Sequence, residues 1–165
     1  MQLVRWLRHA FSTRYATRRR FPASALDAIE RAIRDAERRH SGEILLAIET
    51  SLEGRHLRRG VSPRERAVEV FGRLRVWDTE LNNGVLIYVL LADRDVEIVA
   101  DRGFNGRISA AEWEQVCREM ERHFAGKAFE AGVIAGIGQV GALIARHFPG
   151  GGDDRNQLPD RPQVL

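Results

Sequence analysis

Apolar residues recur along this chain at two spacings, and the switches between them lay out its elements. Leu26, Ile29, Ile33 and Ala36 share one helical face that runs to about His40. Ser24, with Asp27 three residues on, stands where a capping box would start that helix. Ser62-Pro63-Arg64-Glu65 is a stronger start, with Ser62 as cap, Pro63 at the first helical position and Glu65 reaching back. Ala67, Val70, Phe71 and Leu74 follow as its buried face. Ser109 and Glu112 repeat the device ahead of Trp113, Val116, Cys117, Met120 and Phe124. A last helical face holds Phe129, Val133, Ile137, Val140, Ile144 and Phe148.

Strand patterns lie between these helices. EILLAIET (43–50) is a short apolar run bounded by Ser41-Gly42 and Ser51, and GVLIYVLL (84–91) is continuously apolar, as a strand covered on both faces should be. DVEIVAD (95–101) alternates, and the short ADRD link makes it the antiparallel partner of the preceding strand. A helix separates the first two strands, so they run parallel through a right-handed crossover. The pattern predicts an α/β fold: a three-layer α/β/α sandwich with a small mixed sheet of about three or four strands flanked by about four helices. Residues 1–20 form a basic amphipathic N-terminal arm, 21–148 the α/β domain, and 149–165 a Pro/Gly-rich C-terminal tail without a core of its own.

GIGQVG (136–141) spells the dinucleotide-binding pattern, but its surroundings do not support that reading. A fingerprint of that kind follows a strand and is answered by an acid on the next one. Only Val133, Ile134 and Ala135 precede it, and a Pro/Gly-rich tail follows. The helical template fits instead, with Gly132 and Gly136 as a flat strip for close packing. No nucleotide is expected. Glu130 and Gln139 also break the run as a membrane span, which would be short in any case.

Charge changes the picture at the N-terminus. The net charge is +3, yet residues 1–20 hold Arg5, Arg8, Arg14, Arg18, Arg19 and Arg20 and no acid, leaving the rest at about −3. A body of that sign does not suit nucleic acid, which calls for clustered basic residues. The arm is no secretory signal, because arginines interrupt every apolar run. Leu3, Leu7, Phe11 and Tyr15 recur every four residues. Such a helix can lie on an anionic membrane through Arg5, Arg8, Arg18, Arg19 and Arg20, resemble an organellar transit peptide, or pack its apolar face on its own domain.

Cys117 is the lone cysteine and falls within an apolar stripe, so it reads as core and not as a nucleophile. The histidines at 9, 40, 56, 123 and 147 lack ligand spacing and read as surface or capping residues. What the predicted topology does gather, at one end of the sheet, is Glu43, Asn83 and Asp101, with Asp78 approaching. Oxygen ligands of this kind suit Ca²⁺ or Mg²⁺. They also serve as turn and strand-end caps. The opposite end gathers Glu49, Asp93 and Asp95, read as solvated turn charges.

SGEILLAI, RAVEVFGRL, NNGVLIYV and DVEIVADRGFNGRIS, in that order, resemble the core blocks of the TPM domain family. HFAGKAFEAGVIAGI and LIARHFPGGGDDRNQLPD resemble the subgroup that ends in a helix followed by FP and an N-x-L-P-D tail, without a signal peptide or transmembrane helix. The resemblance implies an α/β/α sandwich. Plant thylakoid relatives are linked to photosystem II repair and acid phosphatase activity, some relatives bind divalent cations, and bacterial members often accompany LemA-type membrane proteins. Asn82-Asn83-Gly84 stands where many relatives carry an acid, which weakens a cation site. The expectation is a partner-binding or assembly factor, cytoplasmic and peripheral at the inner membrane, with a cleft for Ca²⁺ or Mg²⁺ and a LemA-like membrane partner. The rival is a metal-assisted phosphatase using Glu43, Asp78 and Asp101.

Overall fold

The computed structural model describes residues 2–150 and 156–165; Met1 of the expected arm and residues 151–155 of the expected tail lie outside them. Its centre is a four-stranded sheet in the order β3-β2-β1-β4, formed by β1 (Glu43–Glu49), β2 (Gly84–Leu90), β3 (Asp95–Ala100) and β4 (Gln163–Val164). β1 and β2 run parallel from Glu43 opposite Gly84 to Glu49 opposite Leu90, and β3 returns antiparallel along β2. β4 adds to the other edge of β1, parallel, with Ala47 opposite Gln163.

Both central strands are buried along their whole length because helices cover both faces. Ile44, Leu46, Ile48, Val85, Ile87 and Val89 enter a core shared with α3 (Ala23–Glu37), α6 (Ala110–Ala125) and α7 (Phe129–Ala145). The alternate residues Leu45, Ala47, Leu86, Tyr88 and Leu90 face a second core with α4 (Gly54–Arg58) and α5 (Pro63–Arg73). The result is the expected three-layer α/β/α sandwich. Its helices exceed the expected number by α1 (Gln2–Phe11), α2 (Arg14–Arg20) and the short α4.

The serine starts behave unequally. Ser62 and Ser109 each accept a hydrogen bond from the backbone of Glu65 and Glu112, whose carboxylates bond back to the cap residue. Ser24 does not cap: α3 begins at Ala23 after Pro22, whose fixed φ starts the helix earlier, and Asp27 binds Arg161. The arm is two helices because Thr13 accepts from Ala16 N–H and starts α2. On α7, a Cβ at Gly132 would stand 2.6 Å from His123 Cβ and one at Gly136 2.3 Å from Met120 Sδ, so the glycines let α7 lie close on α6.

Candidate functional site

Glu43, Asn83 and Asp101 do meet at one end of the sheet, because Glu43 pairs with Gly84 and Asp101 N–H donates to the Gly84 carbonyl at 2.9 Å. Two glycines lock the turns together there. A Cβ on Gly84 would come within 2.0 Å of the Val76 carbonyl oxygen, and one on Gly103 within 2.4 Å of the Asn82 carbonyl oxygen. Gly103 N–H donates to that same Asn82 carbonyl at 2.8 Å.

Asn83 is only 1% exposed. Its Nδ2 donates to the Ser41 carbonyl at 2.8 Å and its N–H to the Thr79 hydroxyl at 3.0 Å, but its Oδ1 is buried with no hydrogen-bond partner. Asp101 Oδ1 accepts from Arg102 N–H at 2.7 Å, and its Oδ2 is likewise buried and unpartnered. Orphaned buried acceptors are costly, and two hard oxygens at one sheet end fit a cation's donor chemistry. Arg102 also reaches this turn, donating from Nε to Asn82 Oδ1 at 2.8 Å. Asp78 does not join the group; it is exposed and held by Arg75 at 2.7 Å. Among the described residues, no three His, Cys, Asp or Glu side chains converge as a metal-binding group.

Glu43 instead helps anchor the C-terminal segment. Its Oε2 accepts the N–H groups of Leu158 at 3.0 Å and Gln157 at 3.2 Å. Asp160, in the same segment, takes Arg34 Nε at 3.2 Å and Asn156 Nδ2 at 2.6 Å. Glu37 completes the cluster: its Oε1 accepts from Ile44 N–H at 2.8 Å. Burial, with Glu43 and Asp160 adding to it, pushes its carboxyl up to about 8 despite that bond. Sequence reasoning missed Glu37 and Asp160. Glu37 reads as an ordinary polar position at a helix end, and only the repeated acids around the tail could have hinted at it.

The opposite end of the sheet is a correction, since its charges are not solvated. Glu49 is buried and takes a bidentate pair from Arg66, both bonds 2.9 Å, plus the Tyr88 hydroxyl at 2.6 Å. Asp93 takes Arg5 Nε at 2.9 Å and lies 3.1 Å from His9 Nε2. Burial alone would raise its pKa, but the hydrogen bonds of His9 and Arg5 hold it down at about 2. His9, His40 and His56 are buried, against the surface reading; His9 Nδ1 accepts from Leu52 N–H at 2.9 Å, so this ring seats the arm.

That seating decides which way the arm faces. Trp6 packs against the second core, Arg5 also donates to the Val61 carbonyl at 2.9 Å, and Thr17 bonds Thr50 at 2.8 Å. Leu3, Val4, Leu7 and Phe11 therefore point away from the domain, with Leu3 72% and Phe11 79% exposed. The arm does not pack these residues on its own domain. Of the arginines expected to make outside contacts, Arg5 turns inward, Arg8 is exposed though 3.8 Å from Asp93, and Arg18 and Arg19 are exposed. Arg20 stacks over the Phe129 ring at 5.3 Å. No helix among the described residues is long and apolar enough to cross a membrane.

The chain is similar along most of its length to the BA42 protein of the psychrophilic bacterium Bizionia argentinensis, solved by NMR. The two are 34% identical with a TM-score of 0.77, covering 88% of this chain and 95% of that one. The N-terminal domain of a P. gingivalis protein (16% identity, TM-score 0.58, 71% of each chain) shares the fold. So does that of the cg2496 protein of Corynebacterium glutamicum (15%, 0.54, 73% of this chain and 72% of that one). No curated protein matches the sequence. Residues 18–143 match the TPM domain. With its sandwich, its interlocked NNG and DRG turns and this match over most of its length, the chain belongs to the TPM domain family.

Proposed function

We propose that this TPM domain is a non-catalytic module seated peripherally on an anionic membrane surface, where it serves as a partner-binding or assembly factor. The observation that carries the proposal is the two-sided α1: Trp6 and His9 hold it to the domain, and Leu3, Val4, Leu7 and Phe11 face out. A helix with an outward apolar face and flanking cations sinks that face to the level of the headgroups. Arg8, Arg14, Arg18 and Arg19 supply the cations, each contributing about 1 kcal/mol near an anionic leaflet. The body's negative balance turns the arm toward such a surface. A metal-assisted phosphatase needs Glu43, Asp78 and Asp101 on one ion. The Arg75 partner of Asp78 and the tail contacts of Glu43 speak for the non-catalytic reading.

The test is co-sedimentation of the full chain with phosphatidylcholine vesicles, with and without phosphatidylglycerol. The Leu7→Ser/Phe11→Ser variant leaves the docked face of α1 intact. Wild type should bind the anionic vesicles and release as salt rises, and the variant should lose most of that binding. Equal partition of the two proteins refutes the reading, and binding to a protein partner alone would move the face to protein recognition.

The orphaned Asn83 Oδ1 and Asp101 Oδ2 favour a second reading, a weak divalent-cation site at that sheet end. Ca²⁺ and Mg²⁺ titrations followed by amide NMR should shift residues 82–84 and 101–103. Asp101→Asn keeps the acceptor for Arg102 N–H and should abolish the response. Silence at these amides ends this reading.

A further inference from the structure

The cleft bounded by α2, the β2–β3 turn and the α6–α7 turn gathers four cations that no carboxylate among the described residues pairs with. Arg19 and Arg20 come from the end of α2, Arg94 from the hairpin turn, and Lys127, the chain's lone lysine, from the turn after α6. They line a cleft of about 590 Å³ with Phe124 and Phe129 among its apolar walls. None of the four forms an ion pair among the described residues. Arg34, Arg66, Arg146 and Arg161 do meet acids, and what marks the present four is that they converge unpaired on one cleft.

Backbone conformation singles out two of the four. Arg94 and Lys127 sit at φ of 57° and 61°, in the left-handed region that side chains with a Cβ avoid. Gly126, beside Lys127, has an ordinary φ of −78°, so the turn places the cation, and not the glycine, at the strained position. Arg75 shares that conformation but spends its charge on Asp78 and the Trp77 ring. The C-terminal end of α6, whose dipole would repel an anion, is partly answered. The N–H groups of Gly126, Lys127 and Ala128 bond the carbonyls of Arg122, Phe124 and His123.

We infer that this cleft is a binding site for a multiply charged phosphate group, borne by a lipid headgroup or by a soluble phosphorylated compound. Arginine forks bind phosphate oxygens in pairs and a lysine adds a point charge, and four cations suit a group with two or more negative charges. A neighbouring depression of about 770 Å³ shares Arg19, Arg20, Lys127 and Phe129 and runs on to Ile134. It offers an apolar path for the rest of the ligand, with Glu130 as the carboxylate on its lining. The cleft shares Arg19 with the cations of the membrane seat but none of the outward apolar residues of α1, so a variant of those apolar residues tests the two separately.

The probe is pyrophosphate, titrated into the full chain and followed by amide and arginine Nε NMR signals. Saturable shifts should be confined to residues 19–20, 91–94 and 124–129. Asparagine tolerates left-handed backbone, so Arg94→Asn/Lys127→Asn keeps the turns and should weaken binding by about tenfold or more. Shifts that never saturate, or a variant that binds as tightly as wild type, overturn the site. Vesicles decide the source. Phosphatidic acid preferred over phosphatidylglycerol at equal charge, with the preference lost in this variant, identifies a lipid headgroup. Pyrophosphate binding without that preference identifies a soluble phosphate. The Leu7→Ser/Phe11→Ser variant should keep its pyrophosphate affinity, which separates failure of the cleft from failure of the membrane seat.

Discussion

Gly132 and Gly138 sit on the same helix, yet alanine should move stability in opposite directions at the two positions. At Gly132 the new Cβ meets His123 Cβ at 2.6 Å, an atom fixed to its own backbone, so α6 and α7 must part. At Gly138 nothing lies within 4 Å, and only the helix propensity of glycine is relieved. Thermal or urea unfolding should therefore find Gly132→Ala less stable by about 1–3 kcal/mol and Gly138→Ala more stable by about 0.5–1 kcal/mol. The flat strip of Gly132 and Gly136 was readable from spacing, and both do meet a neighbour; that the neighbour is α6 was not readable, since that depends on how the helices dock. Cys117 was legible as core. Burial, with Glu97 and Glu121 beside it, pushes its thiol up to about 12, far from a nucleophile's range. The buried histidines were not legible. His9 gains its meaning from Asp93 and Leu52, whose distance in sequence leaves no periodic trace.

At the scale of elements, the hold on the C-terminal segment should depend on pH through Glu37. Its carboxyl binds a proton more tightly folded, at about 8, than at its ordinary 4.5, because ionising it buries a charge beside Glu43 and Asp160. This contribution is complete below about 4.5 and is lost as pH rises toward 8, by up to about 1.4 kcal/mol per pH unit for one proton. Glu37→Gln keeps an acceptor for Ile44 N–H and should flatten that slope in unfolding experiments at pH 5 to 8. A slope identical to wild type would place the titration elsewhere. The strands and the long helices were legible from their periods. β4 was not, because two residues carry no alternation, and its pairing with β1 rests on side-chain anchors far earlier in the chain. Nor was α4, whose five residues are too few to show a helical face.

Across the whole molecule, the chain splits its charge between an arm rich in arginine and a mildly acidic body, and the fold turns that split into a polarity of faces. One end of the sheet holds the orphaned acceptors and the tail anchors; the other holds the Glu49–Arg66–Tyr88 cluster and the Asp93 seat of the arm. The sequence order of elements was enough to foresee that Glu43 and Asp101 share one end and Glu49 and Asp93 the other, though not that Asp78 stays apart. It was not enough to foresee that Glu43 would serve the tail, or that Asp93 would fix the arm with its apolar side outward. Both outcomes depend on segments docking on the sandwich, which local patterns do not encode.

β4 has a consequence for solubility. A sheet edge with open N–H and C=O groups is a template on which other chains can pair. β1 is one of the most apolar strands here, and its outer edge is covered by Gln163 and Val164 together with the Leu165 N–H, which donates to the Ile48 carbonyl at 2.9 Å. Arg34 and Glu43 hold the segment that keeps this cover in place. A few anchoring contacts thus stand between the folded chain and edge-to-edge association through β1.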